Sequence, residues 1–151
     1  MRKLLFILLI LSVTVVTSAS AQILKPVKWS YAAKKTGKDE AVVFLKASIE
    51  PGWHMYSQHV KKGGPVKTSF AFAPSQAYSL VGTTVEPKPI TQYQELFKMD
   101  VSYFEDEVIF QQKVKLNAKG QTVVKGKLEY MVCDDQQCLP PTEVEFSIPI
   151  K

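Results

Sequence analysis

The stretch EVEFSIPI, residues 143–150, alternates polar and apolar side chains along its whole length. Its apolar members are Val144, Phe146, Ile148 and Ile150. This period of two predicts a β-strand with one face against a core and the other in solvent. Pro149 falls on the polar face, and its missing N–H suits a strand at the edge of a sheet.

The same alternation recurs through most of the chain, in residues 27–31, 42–49, 70–72, 78–81, 108–116 and 124–132. Within 108–116 one polar residue, Gln112, falls in phase with the apolar set. Residues typical of turns separate these runs, and no long window shows helical spacing. About seven short strands in one domain predict an all-β fold, an immunoglobulin-like antiparallel β-sandwich.

The first 21 residues have the features of a cleavable signal peptide. Arg2 and Lys3 give a positive start, an apolar run spans residues 4–16, and residues 19–21 (Ala-Ser-Ala) form a cleavage site. The alternative is a membrane anchor, but the run is shorter than the roughly 20 residues that span a bilayer. We therefore expect residues 22–151 to form one exported domain that is not stably inserted in a membrane. We expect this domain to lie in a compartment where disulfides persist.

Composition and charge exclude several classes of protein. With 46% hydrophobic and 22% charged residues, the chain is too apolar to be disordered. Its 19 basic and 14 acidic residues give +5, and without the leader's Arg2 and Lys3 the balance is 17 minus 14, or +3. Because this excess is not concentrated in a stripe, we expect no nucleic acid as a partner. We expect the domain to be monomeric.

One segment, Glu86 to Glu107, departs from the alternation. Its apolar residues are scattered: Tyr93, Leu96, Phe97, Met99, Tyr103 and Phe104. A long irregular segment in a compact domain is usually functional or packed over something. From its residues alone, we interpret it as a loop around a partly buried hydrophobic cluster.

The two cysteines, Cys133 and Cys138, are separated by four residues and can form a disulfide across a tight loop. As a staple, so small a loop removes only about 2 kcal/mol of unfolded-state entropy. The strand phase groups Cys133 with Glu129 and Met131, so its sulfur is expected to point away from the core, open to a partner's thiolate. On these grounds a redox pair and a structural bridge are equally favoured.

The charges beside the cysteines bear on their reactivity. Asp134 and Asp135 directly follow Cys133. Negative charge beside a thiol raises its pKa, so we expect weak nucleophiles unless a basic group compensates. The pattern favours a pair that is acted on by a more reactive partner.

His54 and His59 could join the cysteines in a zinc set, but the spacing matches no zinc-finger pattern. No motif places a nucleophile beside a base, and no glycine-rich phosphate loop occurs in the sequence. We expect no metal and no cofactor.

Three segments together resemble the N-terminal, periplasmic domain of DsbD, a bacterial transmembrane thiol:disulfide reductase. The first is PGWHMY, residues 51–56, with the Gly-Gly-Pro turn at 63–65. The second is the pair at residues 133 and 138 with the prolines at 140 and 141, and the third is Tyr-Phe-Glu at 103–105 leading into 108–110. The resemblance covers nearly all of residues 22–151 and implies the same immunoglobulin-like sandwich in the periplasm, in preference to secretion.

The resemblance also implies roles for individual residues. Cys133 and Cys138 would be the exchanging pair, with Cys138 forming the mixed disulfide and Cys133 resolving it. Phe104, or Tyr103 if the alignment slips by one, would be the cap residue that shields the disulfide until a partner displaces it.

The sequence departs from the family pattern in three respects. Four residues separate the cysteines, where better-known members have five, and Val101-Ser102 replaces the acidic pair before the cap aromatic. No Cys-x-x-Cys is present, and the membrane and thioredoxin-like domains are missing from this sequence. We therefore expect a separate electron donor.

The sequence thus predicts an exported thiol–disulfide relay, a component of protein-disulfide reduction. Its electrons would come from a thioredoxin-like or DsbD-type membrane redox protein and pass to oxidised envelope proteins. The alternative is a non-redox binding module that uses exposed Tyr93, Phe97 and Tyr103, with a structural disulfide. A third hypothesis is an accessory domain that docks on a redox protein through Phe104 without exchanging electrons.

Overall fold

The computed structural model describes residues 24–117 and 120–151. The expected signal peptide, residues 1–21, lies outside these described residues. In the part of the chain that the structure describes, no helix is long and apolar enough to cross a membrane. The strands of this part are β1 (Val27–Lys35), β2 (Glu40–Ile49), β3 (His54–Tyr56), β4 (Ser69–Phe72), β5 (Tyr78–Val85), β6 (Ile90–Gln94), β7 (Met99–Phe104), β8 (Glu107–Leu116), β9 (Thr122–Tyr130), β10 (Val132–Cys133) and β11 (Thr142–Ile150).

The strands form three antiparallel sheets, with the orders β1-β2-β8-β5, β10-β3-β7-β6 and β11-β9-β4. This confirms the predicted all-β, immunoglobulin-like antiparallel sandwich. Strand β11 lies at the edge of its sheet with Pro149 exposed, as its sequence predicts. The second sheet, β10-β3-β7-β6, carries the cysteines and is called the site sheet below.

The main core is built from the alternating strands. In β8 every second residue is buried: Val108, Phe110, Gln112, Val114 and Leu116. Strand β2 pairs with β8 and buries its own alternate residues, Ala41, Val43, Leu45, Ala47 and Ile49. The hydrophobic effect of removing these side chains from water is the principal force that holds the sheets together.

Gln112, the polar residue in the apolar phase of β8, is buried with its hydrogen bonds satisfied. Its amide donates to the carbonyl oxygens of Val81 at 3.1 Å and Lys113 at 2.9 Å, and its Oε1 accepts from Thr84 Oγ1 at 3.0 Å. A buried amide with these partners costs little stability. It fixes the irregular end of β5, where the register with β8 shifts between Val81 and Val85.

Gly126 in β9 lies in a narrow space between its two neighbouring strands, β4 and β11. A Cβ at this position would lie 2.5 Å from the Phe146 ring and 2.5 Å from the Ala71 carbonyl oxygen. Glycine is therefore required there because no side chain fits between the ring and the neighbouring backbone.

The segment Glu86–Glu107 is not the irregular loop that its sequence suggested. Strands β6 and β7 form a hairpin within it, joined by a turn at residues 95–98. The turn contains no Gly, Pro, Asn or Asp, and Lys98 adopts a left-handed φ of 51°. The usual chemical signals of a turn were thus absent from the sequence.

A buried carboxylate fixes the entry to this hairpin. The Glu86 side chain is only 4% exposed, and its carboxylate accepts hydrogen bonds from the Gln58 backbone N–H at 2.9 Å and from the Ser57 hydroxyl. These contacts tie the segment before β6 to the segment after β3. The hairpin is thereby positioned beside β3 within the site sheet.

Candidate functional site

The two cysteines close a very tight loop at the edge of the site sheet. Cys133 and Cys138 face each other as an antiparallel bridge and are joined by a disulfide, with their Cα atoms 4.0 Å apart. The Asp134 N–H donates to the Gln137 carbonyl on one side of the pair, and the Leu139 N–H donates to the Val132 carbonyl on the other, both at 2.9 Å. The disulfide therefore joins a non-hydrogen-bonded pair, the position where facing side chains approach most closely.

Asp134 organises the turn between the cysteines. Its Oδ1 accepts hydrogen bonds from the backbone N–H groups of Gln136 at 2.8 Å and Gln137 at 2.7 Å. These two bonds hold the pKa of the Asp134 carboxyl below its ordinary value. A fixed negative charge therefore lies beside the disulfide at neutral pH.

The two sulfurs differ in exposure, and one expectation about them was wrong. Cys133 is only 4% exposed, whereas Cys138 is half-buried. The strand phase correctly directs Cys133 away from the main core, but a second cluster covers it there. The expectation that the Cys133 sulfur is open to a partner was wrong. The chain leaves one sheet at Met131 and enters the site sheet as β10, where the side chains of the second cluster cover Cys133.

This second cluster, called the site cluster below, has four buried members: Tyr56, Val101, Tyr103 and Cys133. Partly buried residues pack against it: Val60, Phe97, Met99, Met131 and Cys138. It brings the hydroxyl groups of Tyr56 and Tyr103 together with the sulfur of Cys133. The disulfide is part of this cluster through Cys133 and packs against it through Cys138.

The tyrosines of the site cluster are held by glutamines of β6. Tyr103 Oη donates to Gln92 Oε1 at 2.9 Å, and Tyr56 Oη makes a longer contact of 3.5 Å with Gln94 Oε1. Burial, and then the charge of Glu105, raise the pKa of Tyr103. Burial, and then the neighbouring Tyr103, raise the pKa of Tyr56 to about 12. Both phenols are therefore neutral donors at physiological pH.

His54 lies directly opposite Cys133 in the pairing of β3 with β10. Its Nε2 is 2.9 Å from Glu105 Oε1, and its ring stacks on Tyr103 with centroids 4.6 Å apart. From the sequence, His54 belonged to a hypothetical zinc set with His59 and to the PGWHMY segment of the family resemblance, without a role beside the cysteines. Among residues 24–117 and 120–151, no group of three or more His, Cys, Asp or Glu side chains is arranged to hold a metal.

An open cavity of about 580 Å³ lies over the disulfide. The loop 133–138 forms one wall, residues 92–96 of β6 and its turn form another, and His54, Tyr56 and Tyr103 complete the lining. The cavity gives a partner protein a route to the half-buried Cys138.

Comparison with known proteins agrees with this arrangement. The sequence profile described as thiol:disulfide interchange protein DsbD, N-terminal, matches residues 20–149. The chain belongs to the DsbD N-terminal family. No curated protein matches its sequence significantly.

Solved structures share the fold of this DsbD N-terminal family member. The DsbD N-terminal domain of Neisseria meningitidis in the reduced form is 20% identical with a TM-score of 0.50, over 78% of this chain and 82% of that chain. The complex between the DsbD N-terminal and PilB N-terminal domains of Neisseria meningitidis is 18% identical with a TM-score of 0.54. The match covers 83% of this chain and 87% of that chain. The N-terminal periplasmic domain of ScsB from Proteus mirabilis is 16% identical with a TM-score of 0.58. The match covers 84% of this chain but only 47% of that chain. At these identities the likeness establishes the fold alone.

The structure separates the two residues that the family resemblance offered as a cap. Phe104 packs in the main core, with its ring centroid 5.9 Å from that of Phe110, and does not line the cavity. Tyr103 does line it, beneath the disulfide. Successive residues of β7 face opposite sides of the sheet, so only one of them can face the cysteines.

The turn at residues 95–98, which the sequence did not single out as a cap, borders the cavity. Glu95 and Leu96 line the cavity, and Leu96 is 73% exposed. Phe97 packs into the site cluster, edge-on to Tyr56 with centroids 6.0 Å apart. The adjacent apolar pair Leu96-Phe97 was the only sequence signal for this role.

The proposed partner-binding aromatics lie at different depths. Tyr93 is 53% exposed and lines the cavity, Phe97 is half-buried, and Tyr103 is 4% exposed. Of these three aromatics, which the non-redox hypothesis names as examples of an exposed surface, only Tyr93 is more than half exposed.

Proposed function

We propose that this DsbD N-terminal family member passes electrons between proteins of the bacterial periplasm through the Cys133–Cys138 pair. The proposed donor is a thioredoxin-like or DsbD-type redox protein, and the acceptors are oxidised envelope proteins. The observation that carries the proposal is a disulfide that lines an open cavity with one sulfur half-buried and the other covered. Family membership and the likeness to a DsbD N-terminal domain in complex with PilB support it.

The difference in exposure between the two cysteines supports the following order of events. A donor thiolate attacks Cys138 Sγ, the Cys133–Cys138 bond breaks, and Cys133 leaves as a thiolate. The donor's second thiolate then displaces Cys138, which leaves the donor oxidised and both cysteines reduced by two electrons and two protons.

Oxidation of the pair reverses this order. The Cys138 thiolate attacks the disulfide of the acceptor and forms a mixed disulfide, and one acceptor sulfur leaves as a thiolate. Cys133 then attacks Cys138 Sγ, which restores the internal disulfide and releases the acceptor as a dithiol.

The cap of this site is proposed to be the turn at residues 95–98. Leu96 lines the cavity and Phe97 anchors the turn in the site cluster. A docking partner would displace Leu96 and expose Cys138, while Tyr103 stays in place as the floor.

The reduction potential of the pair tests the proposed function. An exchanging pair is expected between about −180 and −270 mV when titrated against glutathione or dithiothreitol. A value below about −300 mV is typical of structural disulfides and would sink the relay proposal.

Trapping of mixed disulfides tests the order of attack. In envelope extracts, Cys133→Ser, which leaves the half-buried Cys138 free, should capture partners as mixed disulfides. Cys138→Ser is the matched control, because it leaves only the covered Cys133 and should capture far fewer. Equal capture by both variants would contradict the assigned order.

A further inference from the structure

His54 is placed where it can act on Cys133. Residues directly opposite in an antiparallel pair project from the same face, with Cβ atoms about 4.5–5.5 Å apart. His54 and Cys133 form such a pair between β3 and β10, and both line the cavity. The other histidine of the chain, His59, is 78% exposed and lines a different cavity.

The imidazole is held in place from two sides. Glu105, which follows β7, has its Oε1 2.9 Å from His54 Nε2, and the ring of Tyr103 on β7 packs against the imidazole at a tilt of 42°. The side chain is 22% exposed. The carboxylate at one ring nitrogen and the ring contact with Tyr103 restrict the rotation of the His54 imidazole in the cavity.

The acidic side chains around the disulfide disfavour a cysteine thiolate, so a positive charge beside it would compensate for them. The ionisable acids that line the cavity are Glu95 of the turn and Asp134 and Asp135 of the cysteine loop, and Asp134 is held ionised by its backbone hydrogen bonds. Tyr56 and Tyr103, on β3 and β7, are neutral at physiological pH. Among the described residues that line this cavity, His54 is the only side chain that can carry a positive charge.

We propose that His54 is a positioning residue for the exchange reaction, and that its imidazolium charge stabilises the thiolate of Cys133. This proposal rests on the relay function proposed above. When a donor attacks Cys138 Sγ, the electron pair of the broken S–S bond stays on Cys133 Sγ, and a better stabilised thiolate leaves faster. In the reverse direction the same charge keeps Cys133 ionised for its attack on the mixed disulfide.

The first test is the thiolate titration of Cys133. In Cys138→Ser, Cys133 is the only thiol, and its absorbance near 240 nm can be followed against the cysteine-free double serine variant. Adding His54→Phe keeps a ring against Tyr103 but removes the charge, and should raise the pKa of Cys133 by about 1. His54→Gln, neutral at every pH, should do the same and covers the case in which the phenylalanine variant fails to fold.

The matched control is His59→Phe in the same Cys138→Ser background, which should leave the pKa of Cys133 unchanged. An unchanged pKa in both His54 variants would overturn the proposal, as would an equal rise in the control. The titration needs no partner, so it separates the two proposals. A potential below about −300 mV together with a raised Cys133 pKa would contradict only the relay function. A potential between about −180 and −270 mV together with an unchanged Cys133 pKa would contradict only the role of His54.

The second test is the rate at which dithiothreitol reduces the intact disulfide. His54→Phe should slow this reaction about threefold at neutral pH, because the leaving thiolate is less stable. The slowing should shrink at high pH, where the imidazolium is absent from both proteins. A rate difference that is independent of pH would indicate a purely structural effect and contradict the proposal.

Discussion

The main core and the site cluster bury side chains equally well, but only the site cluster contains the cysteines. Val43, Leu45 and Phe110 of the main core are completely buried and carry no polar atom. Tyr56 and Tyr103 of the site cluster are 1% and 4% exposed, yet each presents a hydroxyl to a glutamine of β6. The first region stabilises the fold, whereas the second also lies against the disulfide and can adjust the charge and access of a sulfur.

The comparison also separates the strands that form each region. The main core uses long strands such as β2, β8 and β11, whose alternation commits a whole face to burial. The site sheet uses short strands, including β3 and β10, whose few residues place single side chains. Changes in the main core should therefore alter stability without altering redox chemistry, and changes in the site cluster should alter redox chemistry with smaller effects on stability.

The largest effect is expected in the main core. Phe110 is fully buried and its ring contacts those of Phe70, Trp29 and Phe104, with centroids 4.9, 6.1 and 5.9 Å away. Phe110→Ala should lower the free energy of unfolding by about 3–5 kcal/mol, measured by urea denaturation, because it removes apolar contacts and leaves a cavity.

Phe110→Leu provides a milder substitution at the same site if the alanine variant does not fold. Where either variant is folded, the reduction potential of the disulfide should equal that of the wild type. A changed potential would show that the two regions are coupled and would break the comparison.

A smaller effect is expected in the site cluster, and it depends on pH. The pKa of Tyr56 is about 12 in the folded protein, above its ordinary value of 10.0. The folded state therefore favours the neutral phenol, and this contribution is complete below pH 10 and lost as the pH rises towards 12. Tyr56→Phe should cost about 1 kcal/mol or less at neutral pH, since its hydrogen bond is long.

The same variant should lose less stability than the wild type between pH 10 and 12, measured by denaturation at several pH values. Phenolate absorbance at 295 nm should show one fewer late-titrating tyrosine. An unchanged alkaline loss of stability would mean that Tyr56 is as well solvated in the folded protein as in the unfolded chain.

The sequence predicted the main core better than the site for a physical reason. Strands such as β8 and β11 have one face in water, and this forces an alternation that is visible without a structure. Strands β3 and β10 have three and two residues, too few to establish a period. The turn before β7 closes through Lys98 at a positive φ, where glycine or asparagine would have marked it.

The cysteine pair itself was evident from the sequence, but its surroundings were not. Cys133 and Cys138 are the only cysteines, and their spacing allowed a disulfide to be predicted. The cover over Cys133 and the contact of His54 with Glu105 depend on residues far apart in the chain. Such contacts are set by the pairing of β3 with β10 and β7, which no local pattern reveals.

The smallest effect on stability, and the sharpest separation of the two regions, is expected at Leu96. This side chain is 73% exposed, so Leu96→Ala should change the free energy of unfolding by about 0.5 kcal/mol or less. If the turn at residues 95–98 is the cap, the partial burial of Leu96 holds it closed by about 0.5 kcal/mol, and the variant should be reduced by dithiothreitol about twice as fast. Leu80→Ala is the matched control, because Leu80 is also exposed, at 45%, but lies on β5 outside the lining of the cavity. Equal reduction rates for both variants and the wild type would remove the turn from the mechanism, while a faster rate for Leu96→Ala alone would place control of access in a residue that contributes almost nothing to the fold.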